Sequence, residues 1–260
     1  MRKFIKYSFS DLVRSYWTII YFLFFAIISS AILYFSADMT KSIVSIMNVV
    51  IVLIPLVSII FSTIYYYNSR EFTELLLAQP IKRSSLILGQ YTGLALSLSL
   101  SFLAGVSIPF IAGGILASEH FLDFLLILLA GTCLSFSMSA IAYMTALRHE
   151  NKILGFGISL FIWFFLAVLY DGLIMLLLVL FREYPTNSLA IVMTLLNPID
   201  LSRVSIMLGL DISALMGYTG AVFLKFFGTM RGLPISLLSM LLWILVPAYF
   251  MVRIANKKDF

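Results

Sequence analysis

The sequence predicts an all-α integral membrane protein, and three observations lead to that fold class. The chain is 62% hydrophobic and only 11% charged, whereas a soluble domain is about half apolar and about a quarter charged. Several apolar runs exceed the length of about 18 residues that a helix needs to cross a bilayer. These runs are also too long and too uniformly apolar for barrel strands, so we expect helices that satisfy their own backbone hydrogen bonds.

We expect six transmembrane helices in a single domain that covers residues 1–260, with no soluble domain at either end. The polar lead-in is long, and the first apolar run continues past the length of about 7–15 residues found in signal peptides, so the N-terminus is expected to be retained. The predicted spans are residues 17–36, 43–66, 87–116, 122–146, 153–181 and 234–252.

The distribution of cations predicts how the chain is threaded, because cytoplasmic loops carry an excess of Lys and Arg. If the N-terminus is cytoplasmic, the same side holds twelve of the seventeen cations: Arg2, Lys3, Lys6, Arg14, Arg70, Lys82, Arg83, Arg148, Lys152, Arg253, Lys257 and Lys258. The other side holds Lys41, Arg182, Arg203, Lys225 and Arg231. Both termini are therefore expected in the cytoplasm, and the net charge of +5 reflects topology rather than a nucleic-acid partner.

Before the first span, residues 3–16 have the pattern of an amphipathic helix lying in the membrane surface. Ile5, Phe9, Leu12 and Tyr16 share one helical face. Lys3, Lys6, Ser10 and Arg14 lie on the other face, and a basic face opposite an apolar one suits contact with lipid. A plain polar lead-in is the alternative.

Between spans two and three, residues 69–80 predict a short helix of about ten residues. Asn68 is expected to cap it, with Glu71 reaching back to the capping amide. Glu71 and Glu74 are placed where the helix dipole favours negative charge. Pro80 disfavours the α conformation at the residue before it and so ends the helix.

A connecting loop needs no such helix merely to turn, so we predict that it presents a docking surface to another protein. Its apolar face combines Phe72, Leu75 and Leu76 with Gln79. The predicted docking residues are Arg70, Glu71, Phe72, Thr73, Glu74, Leu75, Leu76 and Pro80. A second, smaller contact is predicted in the hexapeptide 147–152, through Arg148, His149, Glu150 and Lys152.

On the opposite side, residues 182–233 form the longest segment without a predicted span. Pro198, Asp200 and Arg203 disfavour a spanning helix around residues 188–210. The apolar piece Leu210–Gly228 is expected to be an interfacial or a shallow re-entrant helix. A full crossing of this piece is the alternative, and it would place the C-terminal lysines outside.

The sequence lacks the residue patterns of several enzyme and carrier classes. No G-x-x-x-x-G-K-[ST] phosphate loop occurs, so the chain is not expected to hydrolyse ATP by itself. Asp171 is the one carboxylate clearly inside a predicted span, and a polar contact to a neighbouring helix or a partner subunit is preferred to a functional site. No catalytic group and no metal site are predicted. A metal role for His120 beside Glu119 and Asp123 is the weaker alternative.

The pattern E-x-T-E-L-L-L-x-x-P, carried by Glu71, Thr73, Glu74, Leu75, Leu76, Leu77 and Pro80, resembles the type-2 ABC exporter permeases. In that family the entry helix is an amphipathic elbow, and the short helix is a coupling helix that seats in a groove of the ATP-binding subunit. The resemblance implies a non-catalytic permease with two copies of that subunit, which hold ATP and Mg²⁺, and a second copy of this chain. It also implies an inner-membrane location, with membrane lipid as a further contact and no bound cofactor.

Two runs within the chain further resemble the permeases of nitrous-oxide reductase maturation transporters. They are LLLAQPIKRSSLILGQYTG, residues 75–93, and LLNPIDLSR, residues 195–203. The resemblance implies a periplasmic copper-handling partner for the CuZ site, docked through Asn197, Pro198, Asp200 and Arg203. A generic exporter permease for a small hydrophobic molecule and a gliding-motility permease remain alternatives. A membrane enzyme and a passive anchor are hypotheses from other classes.

Overall fold

The structure, a computed structural model, describes residues 12, 15–36, 38–181, 187–209 and 232–258. Within these residues the regular elements are helices, and no strand occurs. The helices are α1 Tyr16–Phe35, α2 Met39–Asn68, α3 Arg70–Leu77, α4 Arg83–Ala112, α5 Phe121–Arg148, α6 Lys152–Phe164, α7 Tyr170–Leu180, α8 Asn187–Leu195, α9 Pro198–Gly209 and α10 Gly232–Lys257. A 3-10 turn covers Ile115–Ala117, and a π-helical turn over Phe165–Leu169 joins α6 to α7.

Six helical segments in the described residues are long and apolar enough to cross a bilayer, which confirms the predicted all-α membrane fold. They are α1, α2, α4, α5, the continuous segment Lys152–Leu180, and Pro234–Lys257 within α10. Each corresponds to one predicted span. We call Lys152–Leu180 the fifth span.

Several span boundaries differ by a few residues from the rough predicted ones, and two of these differences have identifiable local causes. The second span begins at Met39 rather than at residue 43, because the Asp38 carboxylate accepts a hydrogen bond from the Thr40 amide (3.2 Å) and caps the helix. The third span ends at Ala112 rather than at residue 116. Gly114 follows with a φ of 87°, a left-handed conformation that glycine adopts at little cost.

The helix α5 lies at the centre of the bundle and is the most buried of the six spans. It packs against α2, α4, α10 and α9. Close approach depends on small residues: a Cβ at Gly131 would lie 2.5 Å from the Phe102 ring, and one at Gly105 would lie 2.8 Å from the Phe22 carbonyl oxygen. The fifth span is the least buried and leaves most of its apolar surface uncovered by this chain.

The helices α8 and α9 form a hairpin that reaches into the bundle. The side-chain amide of Asn197, in the turn between them, donates to the Leu166 carbonyl (2.8 Å), which lies halfway along the fifth span. The Trp243 indole N–H of α10 donates to the Leu195 carbonyl (3.0 Å). As predicted, no single helix crosses between residues 188 and 210, but the depth of this hairpin was not foreseen.

Two predicted elements lie largely outside the described residues. Of the N-terminal helix predicted over 3–16, the structure describes Leu12, Ser15 and Tyr16. The Leu12 carbonyl accepts a hydrogen bond from the Thr18 hydroxyl (2.7 Å) at the start of α1. The predicted interfacial or re-entrant helix Leu210–Gly228 lies wholly outside the described residues, and both elements stay predictions.

Candidate docking platform at the basic end

Most of the described cations lie at one end of the bundle, which we call the basic end. This end consists of α3, the loop 149–151, and the neighbouring ends of α2, α4, α5, α6 and α10. Its cations are Arg70, Lys82, Arg83, Arg148, Lys152, Arg253, Lys257 and Lys258. At the opposite end the described cations are Lys41 and Arg203.

The short helix α3 begins differently from the prediction. The helix α2 continues through Asn68, so Ser69 takes the cap position of α3 and makes no side-chain capping bond. The predicted capping role of Asn68 is therefore wrong. Its side-chain oxygen instead accepts a hydrogen bond from the Lys152 ammonium (3.1 Å). The helix itself covers eight residues and ends three residues before Pro80.

One side of α3 faces into the bundle. The Thr73 hydroxyl accepts a hydrogen bond from the Gln90 side-chain amide of α4 (2.8 Å) and donates to the Ser69 carbonyl (2.7 Å). Thr73 is buried. It was predicted as a docking residue, but its hydroxyl holds α3 against the third span and is not accessible to a partner.

The other side of α3 carries exposed apolar side chains. Phe72 is 44% exposed and Leu75 is 72% exposed. Glu71 and Pro80 are exposed as well, whereas Leu76 is half-buried. The predicted apolar face therefore points away from the bundle, with Phe72 and Leu75 at its centre.

A charged pair flanks this apolar face. The Arg70 guanidinium donates to the Glu74 carboxylate (2.8 Å), one helical turn along α3. This hydrogen bond raises the pKa of Arg70. Both side chains are partly exposed, and such pairs add little stability. The pair fixes where these two charges stand beside Phe72 and Leu75.

The loop 149–151 is bonded to the ends of α2 and α3, which brings the two predicted contact regions together. The Tyr67 hydroxyl donates to the His149 carbonyl (2.7 Å), and the Arg70 guanidinium reaches the Glu150 carbonyl (3.5 Å). Asn151 caps α6 through the amides of Ile153 and Leu154 (2.9 and 3.3 Å). Arg148, Glu150 and Lys152 are exposed, and His149 is half-buried. We call the surface formed by α3 and residues 147–152 the platform.

Two further contributors to the platform were missed by sequence reasoning. Gly155 lies under the Tyr67 hydroxyl, and a Cβ at that position would lie 1.8 Å from the hydroxyl oxygen. The Lys258 ammonium donates to the Leu147 carbonyl (2.8 Å), and its own carbonyl accepts a hydrogen bond from Arg83. Burial lowers the pKa of Lys258. The sequence indicated Lys258 only as a topology signal, because pairing with a backbone carbonyl leaves no sequence pattern.

At the opposite end, the structure gathers residues predicted from two separate segments. Arg203 donates to the Asp171 carboxylate (2.7 Å) and approaches the Asp200 carboxylate (3.4 Å). Asn197 donates to Asp200 as well (2.9 Å). The Asp171 contact confirms the expected polar contact to a neighbouring helix.

Burial in this cluster changes how the predicted docking residues can act. Asn197, Pro198 and Asp200 are buried, and Arg203 is half-buried. Burial raises the pKa of Asp200 to about 7, and the Asp171 carboxyl adds to that rise while Arg203 and Asn197 oppose it. Direct contact of the three buried side chains with a partner would require this hairpin to open, and the docking role stays a prediction.

His120 has a structural contact on the same side of the bundle. Its ring nitrogens bond the Thr40 hydroxyl (2.9 Å) and the Asp123 carboxylate (3.2 Å), which fastens the start of α2 to the start of α5. Glu119 is exposed beside it. Within the described part of the chain, no group of three His, Cys, Asp or Glu residues could hold a metal ion.

Comparison with known proteins identifies two relatives over most of the chain. One is the probable ABC transporter permease protein NosY of Stutzerimonas stutzeri, 26% identical over 210 residues, which are 75% of this chain and 76% of the relative. The other carries the same description in Pseudomonas aeruginosa and is 28% identical over 224 residues, 80% of this chain and 82% of the relative.

The chain is similar to ABC transporter permeases of the NosY type. This similarity confirms the resemblance suggested by the pattern from Glu71 to Pro80. No family model matches the sequence. With six membrane-crossing helices as well, the chain is a multi-pass membrane protein.

Proposed function

We propose that this chain is the membrane-spanning permease subunit of an ABC transporter. It would couple ATP hydrolysis by a separate nucleotide-binding subunit to a conformational change across the inner membrane. The observation that carries the proposal is the exposed apolar face of α3, at the basic end of a chain that is similar to permeases of this kind.

The composition of this face favours a protein partner over water. Phe72 and Leu75 project from a short helix that also carries Arg70, Glu71 and Glu74, and the same platform contains the exposed Glu150 and Lys152. An apolar centre with a charged rim is typical of a protein interface. The same charges make burial in lipid costly. The partner we propose is the ATP-binding subunit, which would bind ATP and Mg²⁺, while this chain binds neither.

We further propose that the basic end lies in the cytoplasm, with both termini on that side. The excess of Lys and Arg there supports this orientation. Two ATP sites favour a twofold-symmetric complex with two copies of this chain. The fifth span, whose apolar surface this chain leaves largely uncovered, is available for lipid or for the second copy.

In the proposed mechanism, ATP binding moves the ATPase subunits, and the platform passes that movement to the spans as a rigid-body rotation. The bonds from Tyr67, Arg70 and Lys152 join α2 and α3 to the loop 149–151 and to the start of α6. These elements would therefore move together. At the far end, the hairpin α8–α9 is bonded to the fifth span through Asn197 and Arg203. Movement of the fifth span would therefore displace the hairpin.

For the finer role we propose assistance to copper-site maturation of nitrous-oxide reductase, through a periplasmic copper-handling partner. Similarity to permeases named NosY supports this role over a generic exporter of small hydrophobic molecules. Gentle purification from native membranes tests it. Recovery of an ATP-binding subunit with a copper-handling periplasmic protein is expected, whereas an ATPase without such a protein would favour the generic exporter.

The docking face is tested by replacing Leu75 with Glu, which places a charge at the centre of the proposed interface. We expect co-purification of the ATP-binding subunit to fall at least about tenfold, because losing a buried apolar anchor and burying a charge costs well over 1.4 kcal/mol. The control is Leu116→Glu in the 3-10 turn at the opposite end, where the side chain is 62% exposed. Undiminished recovery of the ATPase with Leu75→Glu would refute the assignment of this face.

A further inference from the structure

The helix α3 is linked to the third span by a hydrogen bond between two buried side chains. The Gln90 Nε2 atom donates to the Thr73 Oγ1 atom at 2.8 Å. Thr73 is 2% exposed and Gln90 is 3% exposed, so water does not compete for this bond. Hydrogen bonds in such surroundings are stronger than at a wet surface.

This bond belongs to a path that continues into the second span. The Thr73 hydroxyl in turn donates a hydrogen bond to the Ser69 carbonyl (2.7 Å), at the junction between α2 and α3. The Ser69 hydroxyl donates to the Tyr66 carbonyl, within α2 (3.2 Å). Through Gln90 and Thr73, α4 is thus connected to α3 and to the last turn of α2.

The flanks of α3 offer no comparable connection along the chain. On its N-terminal side, Ser69 alone separates it from α2. On its C-terminal side, residues 78–82 form no regular helix before α4 begins at Arg83. Without the bond from Gln90, the direct covalent route from α3 to the third span would be this irregular segment.

An amide at position 90 is costly, which argues that it is there for more than packing. The Gln90 Oε1 atom is buried and has no hydrogen-bond partner among the described residues. Burying a polar atom without a partner costs free energy that a leucine of similar volume would avoid. Glutamine at position 90 therefore makes the folded chain less stable than leucine would, but it supplies a hydrogen bond to α3.

We propose that Gln90 is a positioning residue, which makes α3 move as one body with the third span and the end of the second. A load applied by the partner at Phe72 and Leu75 is then passed directly into α4. The far end of α4 is the turn 113–120 at the opposite side of the membrane. This inference rests on the proposed function, since it assumes that an ATP-binding subunit acts on α3.

The experiment uses the complex of this chain with the ATP-binding subunit that co-purifies from its native membranes, reconstituted in lipid nanodiscs. Hydrogen–deuterium exchange of the turn 113–120 is measured with and without ATP. The variants are Gln90→Leu, Thr73→Val and the double variant. Thr92→Val is the matched control, because in the described part of the chain the Thr92 hydroxyl bonds only to carbonyls within α4 (2.6 Å to Leu88 and 3.3 Å to Gly89).

We expect Gln90→Leu to retain the bound ATPase and to lose the ATP-dependent change in exchange at the turn 113–120. Thr73→Val should lose it too, and the double variant should be no worse than either single variant, since both remove the same bond. Thr92→Val should respond as the unmodified chain does. A Gln90→Leu complex with an unaltered ATP response would overturn the proposal.

Two further readouts keep the test decisive. If Gln90→Leu does not assemble with the ATPase, the comparison of Thr73→Ser with Thr73→Val decides, because serine keeps the hydroxyl and valine does not. An ATP-dependent change in exchange in both variants overturns the proposal. A change in Thr73→Ser alone supports it. If the unmodified chain recovers no ATPase at all, the proposed function fails. If it recovers an active ATPase and Gln90→Leu transmits normally, only the role of Gln90 fails.

Discussion

Single residues at the basic end show how the platform is held together by contacts that leave no motif. Tyr67 reaches across from α2 to the His149 carbonyl, and it can do so because Gly155 has no side chain. Thr73 and Leu75 are two residues apart in α3 but face opposite ways, one buried and one exposed. The residue types alone indicated a docking helix, but the inward or outward direction of each side chain came from the packing of α3 against Gln90.

The substitution Gly155→Ala tests the contact between Tyr67 and α6. The new Cβ would lie 1.8 Å from the Tyr67 hydroxyl oxygen, so the ring must move and lose its bond to His149. We expect a loss of about 1–3 kcal/mol, the usual cost of overpacking, seen as a lower thermal midpoint in detergent. Gly157→Ala, on the same helix with no atom within 4 Å of the new Cβ, should leave the midpoint unchanged. Equal midpoints for both variants would contradict the assigned contact.

Among the elements, the hairpin α8–α9 and the fifth span depend on each other. The π-helical turn Phe165–Leu169 disturbs the regular backbone bonding of the span, and Asn197 supplies a donor to the Leu166 carbonyl there. Arg203 then joins α9 to Asp171 in the following turn of the span. The two elements stabilise each other through polar groups that would be costly to bury separately.

The charge balance of this contact predicts a pH dependence. Burial raises the pKa of Asp200 to about 7, above its ordinary value of 3.8, so the folded chain holds a proton there that the unfolded chain has lost. The contribution of Asp200 to the free energy of unfolding is therefore fully present below about pH 4, and it is lost as the pH rises through about 7. Relative to Asp200→Asn, we expect the thermal midpoint of the unmodified chain to fall between pH 5 and pH 8.

The matched control for this titration is Glu119→Gln, which removes an exposed carboxylate near the same end of the bundle. Its midpoint should follow the pH dependence of the unmodified chain. A pH profile for Asp200→Asn that coincides with that of the unmodified chain would contradict a proton held at Asp200.

For the whole molecule, the sequence predicted the fold class, the six spans and the existence of α3, because long apolar runs and a charged break between them are local signals. Contacts between distant segments were not predictable in this way. The hairpin turn at Asn197 reaches Leu166, and Lys258 reaches Leu147, without any periodic pattern that would announce them. Similarly, the amphipathic sequence of α3 does not decide that Thr73 is buried and Leu75 is exposed. The packing of the neighbouring helices decides it.

The orientation of the whole bundle is the last prediction, and it follows from the cations at the basic end. In a chain with Cys133 replaced by Ala, a single cysteine is introduced either at Leu116, in the turn opposite the basic end, or at Asn151, in the platform loop. Both sites are exposed. With the basic end in the cytoplasm, a membrane-impermeant maleimide added to cells whose outer membrane is permeable should label the Leu116→Cys chain and leave the Asn151→Cys chain unlabelled.

Solubilisation in a denaturing detergent, which removes both the membrane and any bound subunit, should then expose Asn151→Cys to the reagent and so show that the site is reactive. The opposite pattern in intact cells would place α3 outside the cytoplasm. Since ATP is available on the cytoplasmic side, that result would remove Phe72 and Leu75 from the reach of any ATP-binding subunit. The proposed coupling through Gln90 would then have no source of movement, so this orientation is a condition that the docking and transmission proposals both require.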